Sequence, residues 1–236
     1  MSDQLRLLSE FQNALADYHP SEGSKQLLGS SLLVIMHAPT SVGRHTIAEK
    51  LLESGKYHYA VQETTDDAIT EGRSVHKSEE EMLATVRAGD YLEVEIIDDK
   101  IVSGINASEL GKAKELDKIP LANVDLSGVE SIIKHKADAT AIYVLPPNFD
   151  VWMERLTARA ELDQSEIRRL LLQAEQVLEK AIKLPYFTFV INDDLEQAVS
   201  EIRSIVEEGR IDEKQHERGE QVAWDILGQL KQQINT

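Results

Sequence analysis

The chain has 236 residues, 42% of them hydrophobic, enough for one large domain or one domain with additions. It carries 42 acidic and 25 basic residues, a formal net charge of -17, and as a whole such a surface repels nucleic acid and anionic membranes. With no cysteine, disulfides, thiolate metal sites and a cysteine nucleophile are excluded. The opening MSDQLRLLSEFQ lacks a basic flank before a long apolar stretch, so no signal peptide is expected. The longest apolar runs, Leu32 to Met36 and Ala141 to Leu145, fall short of the ~18 residues a membrane span needs. A cytoplasmic protein with no membrane or nucleic-acid partner is expected.

In chain order, residues 3–17 place Leu5, Leu8, Phe11 and Leu15 at helical spacing and predict an amphipathic helix. The run His19-Pro20-Ser21-Glu22-Gly23 breaks it, and SSLLVIMHAP follows as a strand apolar on both faces, as in a buried parallel sheet. Residues 46–55 predict a helix stopped at Gly55. KYHYAVQETT is strand-like, and residues 78–88 form a helix with Ser78 as N-cap and Glu81 as its capping-box partner. YLEVEII alternates as a strand, 107–116 is a short helix, IPLANVDL is a buried strand and SGVESIIKHK a helix. ATAIYVLPP is a further buried strand, followed by helices over 149–160 and 164–183, strand YFTFVIN, and a helix over 195–209. The polar tail ends in the amphipathic VAWDILGQLKQQI. Strands alternating with helices imply an α/β fold with a parallel sheet.

The first apolar strand runs through His37 into Ala38-Pro39-Thr40-Ser41-Val42-Gly43-Arg44-His45-Thr46 and then a helix. That is the context of a phosphate-binding loop, G-x-x-x-x-G-K-[ST], in which glycines let N–H groups curl around phosphate at a helix N-terminus. Ala38 takes the first glycine position, Ser41 a further glycine position, Arg44 the lysine position and His45 the hydroxyl position, with Thr46 one residue late; Gly43 is unchanged. Two readings stand side by side. Arg44 contacts phosphate as an always-charged planar fork, with Thr46 or water at the metal, or the loop is only a strand-to-helix connection. Imidazole is a poor Mg²⁺ ligand, since Mg²⁺ prefers oxygen. His37 and His45 flank the loop and would attract phosphate if protonated.

From about Leu32 to Val206 the sequence resembles the guanylate kinase family. Its loop GPSGVGKST is similar to residues 38–46, its HTTR-x-x-R to Glu63–Ile69, and its GEFLEW to Gly89–Val94. Its LDIDVQG is similar to Ala122–Gly128 and its ILPPS to Tyr143–Asn148. Its lid motifs RL-x-x-RG and RRL are similar to Arg155–Ala160 and Arg168–Leu170, and its VNDD to Ile191–Asp194. The resemblance implies a P-loop-type, three-layer fold with a parallel sheet over 29–208, containing a small mixed GMP-binding subdomain near 60–115 and a helical lid near 155–172. Helical extensions at 1–28 and 209–236 flank it.

Carried over by residue, the resemblance implies nucleotide binding by Ala38, Ser41, Val42, Gly43, Arg44, His45, Thr46 and Asn192, and phosphate-charge stabilisation by Arg44, Arg159 and Arg169. The acceptor site would comprise Thr65, Asp66, Glu93 and Asp125, with Asn123 at the other acid of the central pair. Asp66 and Ile69 occupy the positions of two arginines that grip the GMP phosphate, and a carboxylate there repels it. For Glu93, Asp125 and the lid arginines, the alternative is a surface or structural role. Seven histidines show no H-E-x-x-H or paired metal spacing, so no resident metal site is expected. Three functional readings follow. One is a divergent or inactive kinase acting as a nucleotide-binding or regulatory module, as in the kinase-like domains of membrane-associated scaffolds. The others are an active nucleoside-monophosphate kinase using ATP with Mg²⁺, and an interaction protein. A protein partner or homodimer through the terminal helices is the remaining partner expectation.

Overall fold

A computed structural model describes residues 4–159 and 162–234. In chain order the elements are α1 Leu8–Ala16, α2 Glu22–Ser30, β1 Val34–His37, α3 Arg44–Glu53, β2 Tyr57–Tyr59, β3 Gln62–Thr64 and β4 Ser74–His76. They continue with α4 Glu79–Ala88, β5 Tyr91–Ile97, β6 Ile101–Asn106, α5 Ser108–Glu115, β7 Ile119–Asn123 and α6 Leu126–His135. The chain closes with β8 Thr140–Leu145, α7 Phe149–Arg159, α8 Gln164–Ala181, β9 Phe187–Ile191, α9 Leu195–Glu208 and α10 Glu213–Ile234. This is a mixed α/β fold with parallel strand pairing, as the alternating pattern predicts.

The chain divides into two compact units. The first comprises residues to Leu33, Gly55–Asn123 and Ser127–Ala139. Within it β2 pairs in parallel with β7, and a second sheet runs β4-β3-β6-β5, antiparallel except between β3 and β4. Helix α4 starts where the sequence places it. The Ser78 side chain accepts from the Glu81 N–H while the Glu81 carboxylate accepts from the Ser78 N–H, so two otherwise orphaned donors are satisfied. The amphipathic face of α1 packs here, with Leu5 and Phe11 in one buried cluster with Met82, Leu83, Val86, Tyr91 and Val102. The Tyr18 hydroxyl donates to the Tyr91 carbonyl at 2.7 Å and accepts from the Tyr91 N–H at 2.9 Å, fastening the end of α1 to β5.

The second unit comprises Val34–Ser54, Val124–Leu126 and the chain from Thr140. Its strands run β1-β8-β9 in parallel, and every residue of β1 is buried. Helix α10 lies against α8 and β9, so closely that a Cβ at Gly219 would come 2.5 Å from the Phe189 carbonyl oxygen.

Several elements differ from the sequence pattern. The expected break at 19–23 contains the N-cap of α2, where the Ser21 hydroxyl accepts from the Ser24 N–H at 3.2 Å. KYHYAVQETT is two strands, because after Ala60 the chain leaves β7 to pair with β6. β4 and β6 carry no clear apolar alternation, and α10 begins at Glu213, nine residues before the apolar tail pattern. Helix α3 begins at Arg44 rather than Thr46. Among the described residues no helix is long and apolar enough to cross a membrane.

Candidate nucleotide site

The loop between β1 and α3 turns through two residues in left-handed backbone. Ser41 has φ +66° and Gly43 φ +99°, both left-handed. For serine this backbone costs about 1–2 kcal/mol, and the Ser41 hydroxyl is also buried without a hydrogen-bond partner among the described residues. Gly43 is the N-cap of α3, and there the backbone angle and the space both demand glycine. A Cβ would lie 2.4 Å from Asn192 Nδ2. The first-turn amides of α3, at Arg44, His45 and Thr46, have no intrahelical acceptor and carry the positive end of the helix dipole.

Arg44, in that first turn, donates from Nη1 to the Val124 carbonyl at 3.1 Å. The same carbonyl lies 3.0 Å from His37 Nδ1. Burial pushes the His37 imidazole down to about 4, with the neighbouring Arg44 guanidinium lowering it further and the Val124 bond and Asp125 opposing. His37 is therefore neutral at physiological pH and does not act as a phosphate-binding cation. Asp125 is exposed and sits in the second unit with Arg44 and His37, not in the first with the rest of the acceptor residues. Asn192 is buried at the end of β9, its Nδ2 donating to the Val42 carbonyl at 2.7 Å.

In the first unit, Thr65 continues the β3–β6 pairing. Its N–H donates to the Val102 carbonyl at 3.0 Å and its hydroxyl accepts from the Val102 N–H at 2.9 Å, so the side chain is committed to backbone. Asp66 forms a tight turn in which its Oδ1 accepts from the Ala68 N–H at 3.0 Å. Asp67 is fully exposed with Oδ1 3.5 Å from His76 Nε2, and Ile69 is 51% exposed. Glu93 is a buried carboxylate on β5, 3% exposed. Arg169 is exposed on α8. The side chain of Arg159, the last residue of α7, lies outside the described residues.

Trp152 and Arg155, the latter in the stretch that resembles the lid motif, belong to the loop's surroundings. The Trp152 Nε1–H donates to the Thr40 carbonyl at 2.8 Å, and Arg155 Nη1 donates to the Asn192 carbonyl at 2.8 Å. Their partners are backbone oxygens, which leave no mark in a residue pattern. For a metal, the described residues hold no group of three or more His, Asp or Glu side chains.

The profile of the guanylate kinase family matches residues 30–209. A guanylate kinase of Corynebacterium efficiens is 31% identical over 180 residues, 74% of this chain and 94% of that protein. One from Salinibacter ruber is 32% identical over 175 residues, covering 72% of this chain and 92% of that protein. In three dimensions the chain is similar to the crystal structure of guanylate kinase from Anaplasma phagocytophilum, with a TM-score of 0.55 at 18% identity, covering 79% of this chain and 90% of that one. The family profile spans about three quarters of the sequence, and the chain belongs to the guanylate kinase family.

Proposed function

We propose that the chain binds the polyphosphate of a nucleoside triphosphate at residues 38–46 and does not phosphorylate GMP at ordinary family rates, serving in the cytoplasm as a nucleotide-binding or regulatory member of the family. The observation that carries the reading is Asp66. It occupies the position of a phosphate-gripping arginine, its carboxylate is fixed by the Ala68 N–H, and Asp67 lies beside it. Facing a phosphate at about 4 Å, a carboxylate costs about 1 kcal/mol in water and about 4 kcal/mol near a protein surface, and the lost bidentate arginine bonds add to this. Ile69 at the second arginine position offers no compensation.

The donor side fits a triphosphate. The left-handed Ser41 and Gly43, the first-turn amides of α3, the charge of the Arg44 guanidinium and the orphaned Ser41 hydroxyl all favour a phosphate chain there. Magnesium fits less well, because His45 stands where the family places a hydroxyl oxygen and imidazole is a poor Mg²⁺ ligand. Isothermal titration with ATP, GTP and GMP, with and without Mg²⁺, tests the reading. ATP is expected to bind and GMP to bind at least about 100-fold more weakly than to an arginine-bearing relative.

The second reading is an active guanylate kinase with an altered site. It is favoured by the 31% and 32% identity to proteins named guanylate kinase. Phosphoryl transfer needs positioning more than a nucleophilic side chain, and Arg44 supplies part of that. A coupled kinase assay with GMP separates the two.

A further inference from the structure

The phosphate loop is held from outside by two hydrogen-bond donors. Trp152 Nε1 donates to the Thr40 carbonyl at 2.8 Å, and Asn192 Nδ2 donates to the Val42 carbonyl at 2.7 Å. Both side chains are buried, at 1% and 7% exposure. Asn192 is itself fixed on its backbone, its N–H donating to the Leu145 carbonyl at 2.7 Å and its carbonyl accepting from Arg155 Nη1 at 2.8 Å. Trp152 and Arg155 are three residues apart on α7, hence on one face of that helix.

The peptide bond is planar and trans, so its C=O and N–H point in opposite directions. The Thr40 carbonyl shares a peptide plane with the Ser41 N–H, and the Val42 carbonyl shares one with the Gly43 N–H. Anchoring those two carbonyls on Trp152 and Asn192 therefore turns the Ser41 and Gly43 amides to the opposite side. These are the two residues of the loop with left-handed backbone among the described residues. We infer that Trp152, Asn192 and Arg155 are positioning residues that hold the loop in its phosphate-binding curl and tie it to α7. The inference rests on the reading of residues 38–46 as a polyphosphate site. It also gives Asn192 a role through the loop and the phosphate chain, rather than on the base of a nucleotide.

The full chain and its Trp152→Phe, Asn192→Ala, Arg155→Met and Arg155→Lys variants are titrated with ATP and with inorganic tripolyphosphate, and amide exchange is followed over residues 38–46 without ligand. Trp152→Phe keeps an aromatic ring but removes the N–H together with part of the indole, so thermal melting is measured in parallel to separate a general packing loss from loosening of the loop. The loss of one hydrogen bond corresponds to about 10-fold. Trp152→Phe and Asn192→Ala are expected to weaken ATP and tripolyphosphate equally, by about 10-fold each, and to speed loop exchange by a similar factor. Arg155→Met should do the same more weakly, with Arg155→Lys restoring the wild-type behaviour. Weakening of ATP without tripolyphosphate in Asn192→Ala would mean a base contact and would overturn the inference. So would unchanged loop exchange in both Trp152→Phe and Asn192→Ala. If the wild type binds neither probe, the functional reading fails, and loop exchange in the same variants still decides the clamp.

Discussion

Ser41 and Gly43 are adjacent to the same loop peptides but carry opposite expectations. Ser41→Gly removes a left-handed serine and a buried unpartnered hydroxyl, and loses part of that gain to the greater freedom of the unfolded chain. The net gain is about 0.5–1 kcal/mol, which thermal melting should show as a rise of about 2 °C. Gly43→Ala meets both a φ of +99° and the Asn192 amide at 2.4 Å, so it should cost more than about 1 kcal/mol and weaken ATP by at least about 10-fold. His37 contributes to the acid limb of stability. Its folded value near 4 lies below the usual 6.5 of the unfolded chain, so between those values the unfolded state takes up a proton that the folded state refuses. Stability is unaffected above pH 6.5 and falls as pH drops toward 4, by about 3 kcal/mol in total. His37→Asn, which does not titrate, should flatten that limb in denaturant melts at pH 4.5 and 7.5. At this scale the replacements Ala38, Arg44, His45 and Asp66 were readable from the residues in order. The Val124 carbonyl that gathers Arg44 and His37 was not, because a backbone acceptor has no residue signature.

Helix α10 offers the clearest test at the scale of elements. Its two interior glycines lie in opposite surroundings, Gly219 against the Phe189 backbone and Gly228 with nothing within 4 Å of its would-be Cβ. Helix propensity favours alanine at each by about 1 kcal/mol. Gly228→Ala should show that gain. In Gly219→Ala a Cβ 2.5 Å from a backbone oxygen cannot be absorbed by a rotamer change, so α10 must lift from β9. A lower melting temperature and faster proteolysis within 213–234 are expected for Gly219→Ala alone. The buried strands β1, β8 and β9 and the capping box of α4 were legible because apolar runs and a Ser-x-x-Glu pair state their own physics. β4 and β6 were not, since three exposed-to-half-buried residues and the mixed IVSGIN carry no period-2 signal, and their pairing is decided by β3 and β5. The Pro-Ser-Glu-Gly run reads as a turn locally, yet Ser21 caps a helix whose Leu28 and Ser24 are buried.

For the whole molecule, membership of the guanylate kinase family does not by itself fix whether this chain phosphorylates GMP. The loop proposed to take the triphosphate has two left-handed residues, an arginine in the first helical turn and carbonyls held by Trp152 and Asn192. The segment proposed to have lost GMP has Asp66 in a fixed turn and Thr65 committed to the β6 backbone. Steady-state phosphorylation of GMP by Mg·ATP, measured side by side for the wild type and the Asp66→Arg, Ile69→Arg double variant, tests this division most directly. Loss of the arginine grip and added repulsion predict wild-type turnover at least about 1,000-fold below the ~1–100 s⁻¹ typical of kinases, with a gain in the double variant. Wild-type turnover within that ordinary range would contradict the account.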